Sequence, residues 1–167
     1  SHPGDYNAAP GVTIEYGTHA VYFDDSRMFT MMSYFPSSST GASLAAFASL
    51  PQIHDIAAIQ HLYGANTTYR TGNDTYTFDP DSPFFMTLWD AGGNDTLSVA
   101  NFRKACTIDL RAGSFSDIVI QSDPLPAGSS GTTPTYDGTD NLAIAFGVTI
   151  ENAVGGSGND TLTGNSA

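Results

Sequence analysis

Two kinds of residue in this chain could do chemistry. One is His2, in Ser1-His2-Pro3-Gly4-Asp5, an imidazole of the type that ligates zinc. The others are aspartates: fifteen of the seventeen acidic residues are Asp, and only Glu15 and Glu151 carry the longer side chain. Short carboxylates in Gly- and Asn-rich turns suit oxygen-ligand calcium sites, although an Asp standing by itself more often hydrogen-bonds its own backbone. His19, His54 and His61 do not take part in a His-Glu-x-x-His spacing anywhere in the 167 residues. They are expected not to be metal ligands, with His54 and His61 on a helix surface and His19 in an extended segment. Cys106 is the single cysteine, which excludes an internal disulfide. Its alternation with Ile108 and Leu110 predicts a buried thiol on the core side of a strand.

The aspartates recur in a pattern. Residues 90–99, DAGGNDTLSV, and 153–167, AVGGSGNDTLTGNSA, both carry Gly-Gly and then Asn-Asp-Thr-Leu, and the second contains a full Gly-Gly-x-Gly-x-Asp-x-Leu-x. That is the nonapeptide of a calcium-binding parallel β-roll. Glycines let the chain turn tightly and expose carbonyl oxygens, the Asp supplies a carboxylate, and the alternate Leu fills the interior. A site of this kind draws ligands from two successive turns, so a single repeat is expected to hold calcium weakly.

These residues need elements to hold them. Residues 1–49 are turn-rich, with extended candidates at 12–16, 19–23 and 28–35. PQIHDIAAIQHLYG (51–64) reads as a helix: Pro51 suits the first turn, Ile53, Ile56, Ala57 and Leu62 share a face, and Gly64 closes the end. From Thr75 onward, TYTF, FFMTLWD, TLSV, CTIDL, DIVIQ, NLAIAFGVTI and TLT read as short strands between Gly/Asn/Asp turns, which puts a boundary between Asn66 and Asn73. Residues 122–140 lack periodicity and read as a long exposed loop.

Composition sets the limits. A 40% hydrophobic content, with ten Phe, eight Tyr and one Trp, supports a folded core. Seventeen acidic against five basic residues give a formal charge of −12, which argues against nucleic acid or an anionic membrane as partner and points to bound cations. No apolar run reaches the ~20 residues that span a bilayer.

Four stretches together resemble one family: SHPGDYNA, TMMSYF, DIAAIQHLYGAN with RTG after it, and LWDAGGND followed by GVTIENAVGGSGND. The chain is similar to the central part of a serralysin, a secreted bacterial zinc endopeptidase of the metzincin group with RTX-type repeats. The metzincin zinc motif is H-E-x-x-H-x-x-G-x-x-H, with the third histidine just beyond a glycine turn. Ser1-His2-Pro3-Gly4-Asp5 resembles the end of that motif, which makes His2 the third zinc ligand. The other two histidines and the catalytic Glu are not among these residues. TMMSYF matches the Met-turn, so the resemblance assigns Met32 to an apolar floor beneath the zinc cluster. It assigns Tyr34 to the tyrosine that ligates zinc through its phenolate and swings away to hydrogen-bond the tetrahedral intermediate.

The resemblance implies a mainly β, α+β chain. The C-terminal lobe of a metzincin catalytic domain would occupy 1–66, and the start of a calcium-binding parallel β-roll/β-sandwich domain 67–167. One Zn2+ and several Ca2+ would serve the complete enzyme. Arg70, through its carbonyl, with Gly72 and Asp74, would share one calcium with Asp90, Gly92 and Asp95. A second would lie between Gly93, Asp95, Thr149 and Glu151, and Gly156, Gly158 and Asp160 would begin a roll site. In the whole enzyme zinc lowers the pKa of a bound water toward ~7 and a Glu takes its proton. Without that Glu these residues are expected to be inactive alone. The implied partners are protein or peptide substrates and the N-terminal segment of the same protease, and the implied location is extracellular. The rival readings are a non-enzymatic calcium-binding module and a processed fragment.

Overall fold

The structure, a computed structural model, describes residues 6, 10–42, 48, 50–120 and 137–167. His2 and most of the loop expected at 122–140 lie outside the described residues. The described part is mainly β, with few helices.

None of the three early extended candidates is a strand. Tyr16–His19 forms a one-turn helix, α1, so His19 ends a helix instead of lying in an extended segment. Residues 28–35 run through successive turns. The cause is local. Ser26 Oγ accepts the Met28 N–H, Thr30 Oγ1 accepts that of Met32, and Ser33 Oγ accepts that of Phe35. Each hydroxyl takes the amide two residues on, which a sheet ladder would otherwise need.

The expected helix is present as α2, Ile53–Tyr63. Its first residue follows a capping box: Asp55 Oδ2 accepts the Gln52 N–H at 2.9 Å, and Gln52, not Pro51, is the N-cap. Pro51 therefore stands just outside the first turn. Asp55 also accepts Thr30 Oγ1–H at 2.5 Å and the Met31 N–H at 2.9 Å, which fastens the helix start to the 28–35 turns. Gly64 closes the helix at φ +83°. Ile53 is buried and Ile56 and Ala57 half-buried, but Leu62 is 70% exposed. At 3.6 residues per turn, nine residues from Ile53 places Leu62 on the opposite side.

Eight short strands follow: β1 Thr75–Thr77, β2 Met86–Leu88, β3 Thr96–Ser98, β4 Thr107–Asp109, β5 Phe115–Ser116, β6 Leu142–Ile144, β7 Asn152–Val154 and β8 Thr161–Thr163. Parallel pairing orders one sheet β1-β3-β7, a second is β2-β6-β5 with β5 antiparallel, and β4 pairs parallel with β8. The described residues of DIVIQ, 117–120, form no strand. Only Asp117 bridges Thr107, while the Asn141 side chain accepts the Ile118 N–H and donates to the Ile118 carbonyl, doing for that residue what a partner strand would do. Strands β5 and β7 carry too little alternation to be read from sequence.

Parallel register places Tyr76, Leu97 and Ala153 side by side, with Tyr76 and Leu97 buried. Leu97, Phe102, Ile108, Ile144 and Ile150 are fully enclosed in a cluster that also includes Met28 and Ala42. Each such side chain contributes about 1.5–3 kcal/mol. Leu162, paired with Ile108, is 50% exposed, so the interior role expected of the repeat leucine holds for Leu97 and not for Leu162. Cys106 is buried as expected, and burial pushes its thiol pKa up. Among the described residues no helix is long and apolar enough to cross a membrane.

Candidate functional site

Register also lines up the acids. Thr75, Thr96 and Asn152 are cross-strand partners, so the residues just before them, Asp74, Asp95 and Glu151, stack at one end of the β1-β3-β7 sheet. Backbone and side chain interlock along that row. Asp95 Oδ1 accepts the Asp74 N–H at 2.7 Å, and Glu151 Oε2 accepts the Asp95 N–H at 2.7 Å. The same device recurs at β4-β8: Asp160, just before β8, accepts the N–H of Cys106, just before β4, at 2.8 Å.

Asp90 joins this row from the turn after β2. Its Oδ1 accepts the Gly92 N–H at 2.8 Å and its Oδ2 the Tyr76 hydroxyl at 2.5 Å. Carboxylate oxygens of Asp74, Asp90 and Asp95 then lie within 4.8 Å of one another, with Asp90 and Asp95 buried. Asp95 is wholly enclosed, and its Oδ2 has no hydrogen-bond partner among the described residues. Burial pushes the Asp95 carboxyl pKa up, the Asp74 amide opposes this, and the nearby charges of Asp90, Glu151 and Asp74 add to the rise. Tyr76 is likewise pushed up, by burial first and then by its bond to Asp90.

The turns are built for close approach. A Cβ on Gly93, at φ +155°, would stand 2.0 Å from the Gly72 carbonyl oxygen and 2.8 Å from Asp95 Oδ1. Only a residue without a side chain lets these two loops meet around the acids. Arg70 takes the left-handed conformation at φ +51°. Its guanidinium stands 3.7 Å from Asp74 Oδ1 and 4.9 Å from the Tyr76 ring centre, a single partly exposed cation beside three carboxylates. Three carboxylates at this spacing repel one another unless protonated or bridged by a cation, and an enclosed, unpartnered oxygen adds to that cost. An all-oxygen donor set of this kind fits a hard divalent cation.

The remaining predicted residues divide. Glu151 and Gly93 reach Asp95 as described, and Thr149 is exposed two residues before Glu151. Gly156 donates its N–H to Asp160 Oδ2 at 2.7 Å, and a Cβ there would stand 2.3 Å from the Phe102 carbonyl oxygen. Gly158 packs as closely, 2.5 Å from the Lys104 carbonyl carbon. Met32 is 42% exposed and Tyr34 51% exposed, the latter stacked on Tyr6 at 4.5 Å between ring centres. The three described histidines do not gather. His61 is exposed, while His54 is partly buried, with Nε2 3.6 Å from Asp24 and its ring against Phe29, so it sits less openly than expected. An apolar cleft of about 580 Å³ runs between α2 and strands β1 and β2, lined by Ile56, Ile59, Tyr69, Phe78 and Trp89.

Tyr76, as partner of Asp90, was not anticipated. A signal for the stacked row did exist: Asn-Asp-Thr occurs at 73–75 as well as at 94–96 and 159–161, each time opening a strand.

The family model described as Peptidase M10 serralysin C terminal matches residues 54–122 and 136–167. The chain is 42% identical to a serralysin of Photorhabdus luminescens over 179 residues, 99% of this chain and 33% of that protein. It is 42% identical to a serralysin of Proteus mirabilis over 180 residues, 99% of this chain and 33% of the relative. It is 40% identical to metallopeptidase AprA of Pseudomonas marginalis over 184 residues, 100% of this chain and 35% of the relative. The chain thus spans about a third of the length of the curated relatives it matches.

Proposed function

The chain belongs to the Peptidase M10 serralysin C-terminal family, and from that premise we propose that it is part of a secreted zinc- and calcium-dependent endopeptidase that hydrolyses peptide bonds in proteins. The observation that carries this reading is the span of the similarity. It covers the whole chain against metallopeptidase AprA, so it takes in the SHPGDYNA and TMMSYF segments as well as the acidic turns. In this reading residues 1–66 complete the zinc side of the catalytic domain and 67–167 begin the calcium-binding part.

Calcium is assigned from the donor set. Asp74, Asp90 and Asp95, with the Arg70 and Gly72 carbonyls and Gly92, would hold one ion. Gly93, Asp95, Thr149 and Glu151 would hold a second, and Gly156, Gly158 and Asp160 would contribute to a third. The partnerless Asp95 Oδ2 supports the first. Cation binding there would favour the charged carboxylates and join the 70–74 and 90–95 loops, and its free energy adds to folding.

For zinc, His2 and Tyr34 are the ligands this chain would offer, with Met32 packed below. When bound, the metal polarises the scissile carbonyl and activates water. Tyr34, partly exposed and held from one side by Tyr6, would supply a hydrogen bond to the developing oxyanion. Produced alone, the 167 residues should leave casein intact. Joined to a preceding segment that carries His-Glu-x-x-His, they should retain zinc and hydrolyse casein, and His2→Ala should abolish both. Undiminished hydrolysis by the His2→Ala protein would overturn the assignment.

A calcium-binding module without activity is the second reading, favoured by one observation, the gathering of Asp74, Asp90 and Asp95. Zinc retention by the longer protein separates the two readings.

A further inference from the structure

A second enclosed carboxylate lies far along the chain from the acidic row. Asp25 is fully buried, its Oδ1 accepts the Tyr6 hydroxyl at 2.5 Å and the Ser33 hydroxyl at 2.8 Å, and its Oδ2 has no partner among the described residues. The Tyr6 hydroxyl also interacts with the Ser33 side chain and the Tyr34 backbone. One carboxylate thereby ties Tyr6 to the turn that carries Met32 and Tyr34.

The rings continue the connection. Tyr6 lies nearly parallel to Tyr34, with 21° between planes and 4.5 Å between centres, and it also meets the edge of Phe35 at 5.5 Å. Tyr6 is buried whereas Tyr34 is half exposed, so the Tyr6 ring is the fixed surface and Tyr34 the ring laid on it. Arg27 also holds this turn, donating Nε–H to the Ser33 carbonyl and N–H to the Phe35 carbonyl. A charged acceptor strengthens both hydroxyl bonds, and an aromatic stack fixes ring position without closing off the phenol.

We infer that Asp25 and Tyr6 are positioning residues for Tyr34: the carboxylate fixes the Tyr6 ring, and the Tyr6 ring fixes where the Tyr34 phenol stands. The inference rests on the zinc endopeptidase reading, in which Tyr34 acts at the reacting carbonyl. It predicts that the effect of Asp25 on catalysis passes through Tyr34 and through no other route.

The test is a double-mutant cycle in the full-length, zinc-loaded protease, read as kcat and KM on a peptide substrate with zinc content measured in parallel. Tyr6→Phe keeps the stack and removes one hydroxyl, and Asp25→Asn keeps the shape and removes the charge. Each should lower kcat about tenfold with KM changed by less than about twofold and zinc retained. Ser33→Ala should do the same to a smaller degree. In a Tyr34→Phe background none of the three should lower kcat further. Equal losses with and without the Tyr34 hydroxyl, or losses that track a lowered melting temperature, would overturn the inference. A wild-type protein with neither zinc nor activity would instead overturn the endopeptidase reading, and this inference with it.

Discussion

Asp25 and Asp95 are both fully buried, and each has an oxygen without a partner among the described residues, but they lie in different company. Around Asp25 stand hydroxyls, those of Tyr6 and Ser33, which donate to it. Around Asp95 stand Asp74, Asp90 and Glu151, which repel that charge. The first arrangement receives neutral donors on one oxygen, and one of those donors is the ring-bearing Tyr6. The second gathers negative charge around one enclosed carboxylate, with Gly93 packed against the Gly72 carbonyl and Asp95 Oδ1. Burial of a carboxylate therefore does not by itself mark a metal site; the sign of its neighbours does.

The largest expected effect breaks the two apart. If the acidic row binds calcium, a free concentration a hundred times Kd should stabilise the chain by about 2.7 kcal/mol. Thermal melts with calcium and with chelator should show this for wild type and for Asp25→Asn, and show it much reduced for Asp95→Asn. A calcium-dependent shift unchanged in Asp95→Asn would erase the distinction. A smaller effect concerns the glycines. Gly93→Ala drives a Cβ into the Gly72 carbonyl and should cost about 1–3 kcal/mol in urea unfolding and weaken calcium binding. Gly41→Ala, at φ +101° with nothing near its Cβ, should cost about 1 kcal/mol from backbone strain and leave calcium binding alone.

The smallest effect comes from a carboxylate that already has its cation. Hydrogen bonds from Arg111 hold the Asp109 carboxyl below the usual carboxylate range, against an opposing effect of burial. A depressed folded value means that this stabilisation is present above the ordinary Asp pKa and is lost as pH falls through the depressed one. Arg111→Gln should therefore melt slightly below wild type at pH 7, and the two melting curves should converge in strong acid. Calcium should not alter that difference.

Helix α2 was legible because its apolar spacing, Pro51 and Gly64 agree, and strands such as TLSV and CTIDL because alternation and flanking turns agree. Residues 28–35 misled because Ser26, Thr30 and Ser33 punctuate the apolar run, and their hydroxyls capture the amides a ladder would have used. DIVIQ misled because a side chain, that of Asn141, took the place of a strand. The individual acids of the candidate site were legible through family resemblance. Their physical cause, one residue before each paired strand, needed the register. Neither Tyr76 behind Asp90 nor Asp25 beneath Tyr6 could be read, since both pairings join residues far apart in sequence.

The central claim is that the stacked acids hold calcium, and the most direct measurement is the number of calcium ions retained per chain by the 167-residue protein after equilibrium dialysis. Wild type should retain calcium and Asp95→Asn should retain less, with Asp25→Asn equal to wild type. A wild-type chain that retains none at millimolar free calcium, or an Asp95→Asn chain that retains as much, would contradict the account.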